Sequence, residues 1–296
     1  MFLPAQESGH SGAAGTRLMI EIWITGHILV FFLGCYLFYS FSPGFKNRPA
    51  AAQILLVLLA TLAASLAIEG AHTLIPGRYP AIRDMAGNFA GTLLYLSFIH
   101  RHFPVKLLPL HLAAIVLTAV LVYPVFISIA DRAVAIARFP VLADFETPME
   151  KTRFRGGRSL LEISDKYVFQ GDHSLRMGFT TQVYSTHALT YIPGNWKGYS
   201  RIHAALYNPG KKPVKLHVRI EDRKHARSEN QQYTDRYNSS FDLPPGKWKT
   251  IKIPLEEIEN APKTRKMNME QISSIMFFVA RQPEPLTLYI DDIRLQ

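Results

Sequence analysis

The sequence has a single cysteine, Cys35, which excludes a disulfide framework. It has no dense block of lysine or arginine. The net charge of +10 is spread over both halves, which excludes a nucleic-acid-binding basic patch. Residues 1–18 lack a compact basic stretch followed by a short apolar run, so no cleaved signal peptide is expected there. Charge itself is scarce in the first half. Residues 1–140 hold nine Lys/Arg and five Asp/Glu, a net +4, whereas residues 141–296 hold 24 and 18, a net +6. The chain of 296 residues is 48% hydrophobic, with mean hydropathy +0.05. That near-neutral average combines two unlike halves, so neither a uniform soluble globule nor a wholly membrane-embedded protein is expected.

The first half reads as an α-helical membrane domain of four transmembrane helices, behind an N-terminal tail at 1–18. The spans fall at about 19–41, 51–73, 84–100 and 107–130. At ~1.5 Å per residue, the first is long enough for a hydrocarbon core of ~30 Å. Soluble bundle helices keep a charged face, and these runs do not. Pro109 suits the first turn of the last run, and Pro124 is expected to kink it. Four spans place both ends of the domain on one side. Loop charges do not say which side: Lys46, Arg48, Arg101 and Lys106 oppose Arg17, Arg78, Arg83, Arg132 and Arg138.

Ionisable residues at membrane depth are costly and mark functional candidates. They concentrate in residues 63–91. Glu69 and His72 share a helix face, Pro76 and Gly77 break that helix, Arg78 and Arg83 follow, and Asp84 and Asn88 share a face of the next helix. Gly87 and Gly91 form a stripe that lets another helix approach closely. One reading is structural: carboxylates paired with arginines pin a hairpin, and Asn88 bridges two helices. The other is a polar pocket for a lipid headgroup or lipid-linked glycan. There the arginines hold an anionic group and Glu69 or His72 acts as acid or base, although nothing marks out a nucleophile. The catalytic candidates are thus Glu69, His72, Arg78, Arg83, Asp84 and Asn88.

The order Glu69, His72, Arg78, Asp84, Asn88, Gly91, with His27 to Gly34 upstream, resembles the signature of VanZ-like membrane proteins over about residues 24–100. His72 stands where that family usually has glutamine. The resemblance implies a cell-envelope location, a link with glycopeptide-antibiotic resistance, and no defined reaction.

After a linker at 131–140 the apolar period changes to two. Residues 214–221 alternate strictly, with Val214, Leu216, Val218 and Ile220 on one face and Lys215, His217, Arg219 and Glu221 on the other. Residues 201–207 repeat this, with Ile202, Ala204 and Leu206 inward and Arg201, His203 and Tyr207 outward. Further strands are expected at 141–146, 174–180, 187–192, 248–254, 275–280 and 286–294, separated by Asn208-Pro-Gly, Pro244-Pro-Gly and Gln282-Pro turns. Short strands at such intervals predict an all-β jelly-roll sandwich over 141–296.

Three pieces resemble jelly-roll carbohydrate-binding modules. They are Asp144-Phe-Glu146, the loop Gly171-Asp-His-Ser-Leu175, and Leu288-Tyr-Ile-Asp-Asp-Ile-Arg-Leu295. Asn195-Trp-Lys-Gly-Tyr199 and Pro245-Gly-Lys-Trp-Lys-Thr-Ile-Lys-Ile-Pro254 fit between them. The resemblance implies a structural calcium held by Glu146, Asp172, Asp291 and Asp292. It also implies a glycan ligand, for which an aromatic platform beside polar groups is needed. The candidates are Arg201, His203, Tyr207, His217, Arg219, Glu221 and Tyr237, with Tyr184, Tyr199, Tyr233 and Trp248 also available. Trp196 and Trp248 read first as core or strand-edge residues. The basic loop 219–235 suits an acidic glycan.

Carbohydrate binding places residues 141–296 outside the cytoplasm. The expectation is therefore a multi-pass protein of a bacterial-type inner or cytoplasmic membrane. Its partners would be membrane lipids and a cell-envelope polysaccharide or lipid-linked glycan, with no nucleic acid. It would act as a glycan-binding envelope protein. The alternatives are a membrane enzyme working through the Glu69, Arg78 and Asp84 edge, and an assembly factor whose sandwich binds protein.

Overall fold

A computed structural model describes residues 17–75, 80–98, 108–156 and 160–296. It contains two compact units, Gly15–Ile129 and Ala130–Gln296.

The first unit is helical: α1 (Arg17–Phe41), the short α2 (Pro43–Lys46), α3 (Ala50–His72), α4 (Ile82–Phe98) and most of α5 (Leu108–Arg138). Three stretches, Glu21–Phe41, Ala50–His72 and Leu108–Arg138, are long and apolar enough to cross a membrane. Leu33, Phe41, Leu59, Leu66, Val120 and Phe126 lie exposed on them, which is the surface a hydrocarbon solvent requires.

The third expected span, at 84–100, differs. Helix α4 has 17 residues, about 25 Å of rise against the ~30 Å of a hydrocarbon core. It is the inner helix of the unit, burying Gly87, Asn88, Ala90, Gly91, Thr92, Tyr95 and Leu96 against α1 and α3. The deduction that both ends share one side needed four spans and does not follow from three. The glycine stripe behaves as expected: a Cβ on Gly91 would sit 2.2 Å from the Ile28 carbonyl oxygen of α1. Small residues permit this approach where lipid offers helices no hydrophobic drive to associate.

Helix α5 continues past Pro124 to Arg138. Residues 131–138, expected as linker, are therefore helical. Asp131 is buried because its carboxylate receives the Arg153 guanidinium at 2.9 Å.

The second unit is a two-sheet, all-antiparallel sandwich. One sheet contains β1 (Val141–Ala143), β3 (Leu161–Ser164), β4 (Ser174–Phe179), β6 (Arg201–Tyr207), β9 (Trp248–Pro254) and β11 (Leu286–Leu295). Its order is β3-β4-β11-β6-β9, with β1 also paired to β11. The other sheet contains β2 (Phe154–Gly156), β5 (Tyr184–Leu189), β7 (Val214–Asp222), β8 (Tyr237–Leu243) and β10 (Ile272–Ala280), in the order β2-β5-β10-β7-β8. Successive strands from β4 to β7 and from β8 to β11 cross between sheets. Their inward residues, among them Met177, Phe179, Leu206, Leu216, Val218, Ile220, Phe277 and Ile290, form one core together with Trp196. Each fully buried side chain of this size contributes about 1.5–3 kcal/mol.

The alternation read for β6 and β7 matches their inward faces. Strands β2, β3 and β8 were not foreseen, because the first two are only three and four residues long and β8 is polar. The strand expected at 187–192 begins three residues earlier, at Tyr184.

Candidate functional site

In the helical unit, three helices bring the expected polar residues together. The Asn88 amide oxygen accepts from His27 Nδ1 of α1 at 2.8 Å, and its amide nitrogen donates to Ser65 of α3 at 2.9 Å. Asn88 thus bridges helices, as the structural reading expected. The carboxylate–arginine pairing differs: Arg83 donates to Glu21 of α1 at 2.5 Å. Glu69 instead faces His72 at 3.4 Å and accepts the Ala81 amide at 2.8 Å, while Asp84 faces His27 at 3.7 Å. Arg78 lies outside the described residues.

In the sandwich, the seven candidate ligand residues do not share a surface. Arg201, His203 and Tyr207 belong to β6 in the six-stranded sheet. His217, Arg219 and Glu221 belong to β7 in the other sheet. Tyr237 pairs with Ile220 and points into the core, only 7% exposed. Alternation within a strand fixes which side chains face outward, but not which sheet the strand joins.

The outer face of the six-stranded sheet is partly covered by a loop. The loop between β3 and β4 lays Tyr167 on Tyr207, with centroids 4.4 Å apart, and Phe169 on Trp248 at 5.4 Å. His203 is buried beneath and faces Asp292 at 3.0 Å, and burial lowers its pKa. Arg201, at the start of β6, is exposed.

The outer face of the five-stranded sheet is open and carries an aromatic row. Tyr184 of β5, 62% exposed, lies edge-on to Phe278 of β10 at 6.1 Å. Phe278 stacks on His217 of β7 at 4.9 Å and 18°. Cross-strand register produces this row, since Phe278 pairs with His217 on one side and Thr186 on the other. Partial burial, and then Lys215, push the His217 pKa down, which favours the neutral ring stacked flat on Phe278. Polar groups flank the row. Arg219 Nε donates to Glu221 at 2.8 Å, and Glu221 also accepts Ser274 at 3.1 Å. Arg155 donates to the Tyr191 hydroxyl and lies over that ring at 5.1 Å. Beyond Glu221, His225 faces Asp235 at 3.1 Å, and hydrogen bonds from Arg265 hold the Asp235 carboxyl below its usual range. Phe278 and Tyr191 were missed in the sequence. Phe277-Phe278 within a strand was the available signal, because one of two adjacent phenylalanines must face outward.

Of the acids expected to hold calcium, Glu146 and Asp291 also accept amides of the β3–β4 loop. Glu146 accepts the Asp172 and His173 amides at 2.9 and 3.1 Å. Gly171 is required there: its φ is +78°, and a Cβ would lie 2.2 Å from the Glu146 carboxylate. Burial pulls the Glu146 pKa upward, but these amides and His173 hold it below the usual range. Asp291 accepts the Phe169, Gln170 and Asp292 amides at 2.9, 3.0 and 2.7 Å. Burial nevertheless raises its pKa to about 6. Asp292 engages His203 and Arg294. Among the described residues no amide is on Glu146 Oε2, and a carboxylate oxygen that accepts one N–H keeps a second lone pair, so the set retains acceptor oxygens that a calcium ion would use. The melting temperature of residues 130–296 in calcium and in chelator tests the site: a rise of several degrees in calcium is the expected result for a bound ion, and equal melting would sink the metal reading.

Comparison with known families identifies the sandwich as a carbohydrate-binding domain. Residues 150–296 match the family model of carbohydrate binding domain 30. Similar solved structures include an exo-β-agarase (15% identity, TM-score 0.43, covering 53% of this chain and 24% of that one). A second is the family 11 carbohydrate-binding module of Clostridium thermocellum in complex with a β-1,3-1,4-mixed-linked tetrasaccharide (18%, 0.41, 52% and 93%). A third is the CBM22-1 xylan-binding domain from Paenibacillus barcinonensis (13%, 0.38, 53% and 92%). This chain thus spans about a quarter of the agarase's length. No curated protein matches the chain.

Proposed function

We propose that the chain is a membrane-anchored glycan-binding protein whose five-stranded sheet receives an extracytoplasmic polysaccharide on its outer face. The observation that carries this is the row Tyr184, Phe278 and His217 on three adjacent strands. With strands ~4.8 Å apart, the row makes a platform about 10 Å across. Sugar rings present C–H faces that lie against aromatic surfaces, and their hydroxyls need donors and acceptors at the margins. Thr186, Arg219, Asn238, Ser240 and Arg155 provide these on the same face. On the opposite sheet the loop rings Tyr167 and Phe169 already lie on Tyr207 and Trp248, leaving Phe169 as the exposed ring there. The apolar stretches Glu21–Phe41, Ala50–His72 and Leu108–Arg138 provide the anchor, and a cell-envelope polysaccharide is the partner this arrangement serves. The convergence of His27, Glu69, His72, Asp84 and Asn88 supports a VanZ-like anchor. It is also what an enzyme acting on a lipid-linked substrate would need, as the second reading.

The test is affinity electrophoresis of residues 130–296 through gels containing mixed-linkage β-glucan, xylan, agarose or an acidic polysaccharide. At least one gel is expected to retard the protein. Phe278→Ala is expected to weaken that binding about 30-fold, equivalent to about 2 kcal/mol for a central aromatic anchor. Tyr184→Ala should also weaken it, and Arg201→Ala should leave it unchanged. No retardation in any gel, or equal retardation of Phe278→Ala, would sink the proposal.

A further inference from the structure

We propose that His27, Glu69, His72 and Asp84 together bind one divalent transition-metal ion in the helical unit. The ligand atoms of Glu69, His72 and Asp84 all lie within 4.8 Å of one another. His72 Nδ1 is 3.4 Å from Glu69 Oε2, and His27 Nε2 from α1 is 3.7 Å from Asp84 Oδ2. Ligands about 2.0–2.1 Å from a tetrahedral ion stand about 3.3 Å apart; the His72–Glu69 and His27–Asp84 pairs are already near that separation, and the wider spacings, up to 4.8 Å, would close by side-chain rotation of about 1–1.5 Å.

Two buried atoms point to an ion rather than to a set of hydrogen bonds. Glu69 Oε1 and His27 Nε2 have no hydrogen-bond partner, although Glu69 is only 5% exposed and the His27 side chain 10%. A carboxylate oxygen buried without a partner is costly. His27 donates from Nδ1 to the Asn88 amide oxygen, whose nitrogen is engaged by Ser65. An amide oxygen only accepts, so Nδ1 carries a proton, and in the neutral ring the Nε2 lone pair is directed at an Asp84 oxygen. Two electron pairs then face each other at a distance too long for a hydrogen bond, and a cation between them would satisfy both.

The surroundings support the same assignment. The Asn88 bond behind His27 and the Ala81 amide on Glu69 Oε2 are the outer hydrogen bonds that orient metal ligands. Arg83 is engaged by Glu21. Among the described residues, the ion-pair partners of Glu69 and Asp84 are His72 and His27. A divalent ion would balance both carboxylates with both imidazoles neutral. Two imidazoles and two carboxylates suit zinc and its first-row neighbours better than calcium or magnesium.

The test uses the full chain in detergent, stripped with chelator, loaded with Zn²⁺ or Co²⁺ and desalted. Wild type is expected to retain one ion per chain, and the Co²⁺ form should show the intense visible bands of four-coordinate cobalt. Glu69→Gln and His72→Gln should each abolish retention, and Asn88→Ala should weaken binding about 10-fold through His27. His203→Gln, in the other unit, should bind as wild type. Melting and gel-filtration profiles identify any variant that fails to fold, and the wild-type stoichiometry stands independently of all of them. Wild type emerging without metal would overturn the proposal. So would folded Glu69→Gln and His72→Gln variants with unchanged Co²⁺ spectra.

Discussion

Arg153→Ala is expected to destabilise residues 130–296 by about 3–5 kcal/mol, measured by urea unfolding. Arg153 is 2% exposed, and every strong partner it has is buried with it. Its Nε donates to Asp131 at 2.9 Å, and its terminal nitrogen donates to the Leu142 carbonyl at 2.7 Å. Glu150, itself only 1% exposed, lies 3.9 Å away and accepts the Asp144 and Phe145 amides that set the first turn after β1. Burial already pushes the Glu150 carboxyl upward, and Arg153 opposes that push. Removing the guanidinium would leave the buried Asp131 carboxylate without its cation and one carbonyl without its donor, and would leave Glu150 with Arg138 alone, at 3.3 Å. Arg153→Lys should recover little, because a single ammonium cannot reproduce the two directions of the guanidinium fork. Arg176→Ala is the control: its pair with Glu162 is exposed on both sides, and such pairs contribute about 0–1 kcal/mol. A loss below about 1 kcal/mol for Arg153→Ala would show that the pair does not carry the junction.

The second large effect is expected in the helical unit. Gly91→Ala places a methyl group 2.2 Å from the Ile28 carbonyl oxygen and 3.0 Å from the Phe32 amide nitrogen. Both are backbone atoms of α1, so no rotamer change can relieve the clash and the helices must separate. Overpacking of this kind costs about 1–3 kcal/mol or more. It should also open the His27–Asn88 hydrogen bond one turn away, which spans the same helix pair. The measurement is the melting temperature of the full chain in detergent. Gly34→Ala, where a Cβ meets nothing within 4 Å, should melt as wild type. Equal melting of the two variants would refute the close approach.

Periodicity made the sandwich legible in β6, β7 and β9, where apolar residues alternate over seven to nine positions. It failed at β2 and β3, which are too short to display a period, and at β8, where Tyr237-Asn-Ser-Ser offers little apolar signal. In the helical half, scarcity of charge marked four apolar runs, of which the third stood out in the sequence only by its shortness. Burial separates α4 from the other three, and burial is a property of neighbours. The expectation that Glu69 and Asp84 would pair with arginines followed proximity in sequence. The packing of α1 against α4 supplied Glu21 for Arg83 and His27 for Asp84, residues about 60 positions away.

Composition and period alone determined that this chain has an apolar helical half and an all-β half. They also determined which residues of β6 and β7 face outward, and that ionisable groups cluster around residues 69–88. All of these are local properties, set by 3.6- and 2-residue repeats and by the cost of placing charge in hydrocarbon. Only the tertiary structure decided that β6 and β7 lie in different sheets and that Tyr167 and Phe169 partly cover one outer face. It likewise placed Tyr184, Phe278 and His217 in a row on the other, and gathered His27, Glu69, His72 and Asp84 at one point. Each of these depends on cross-strand register or helix packing between segments distant in the chain, and no repeat within a segment encodes that.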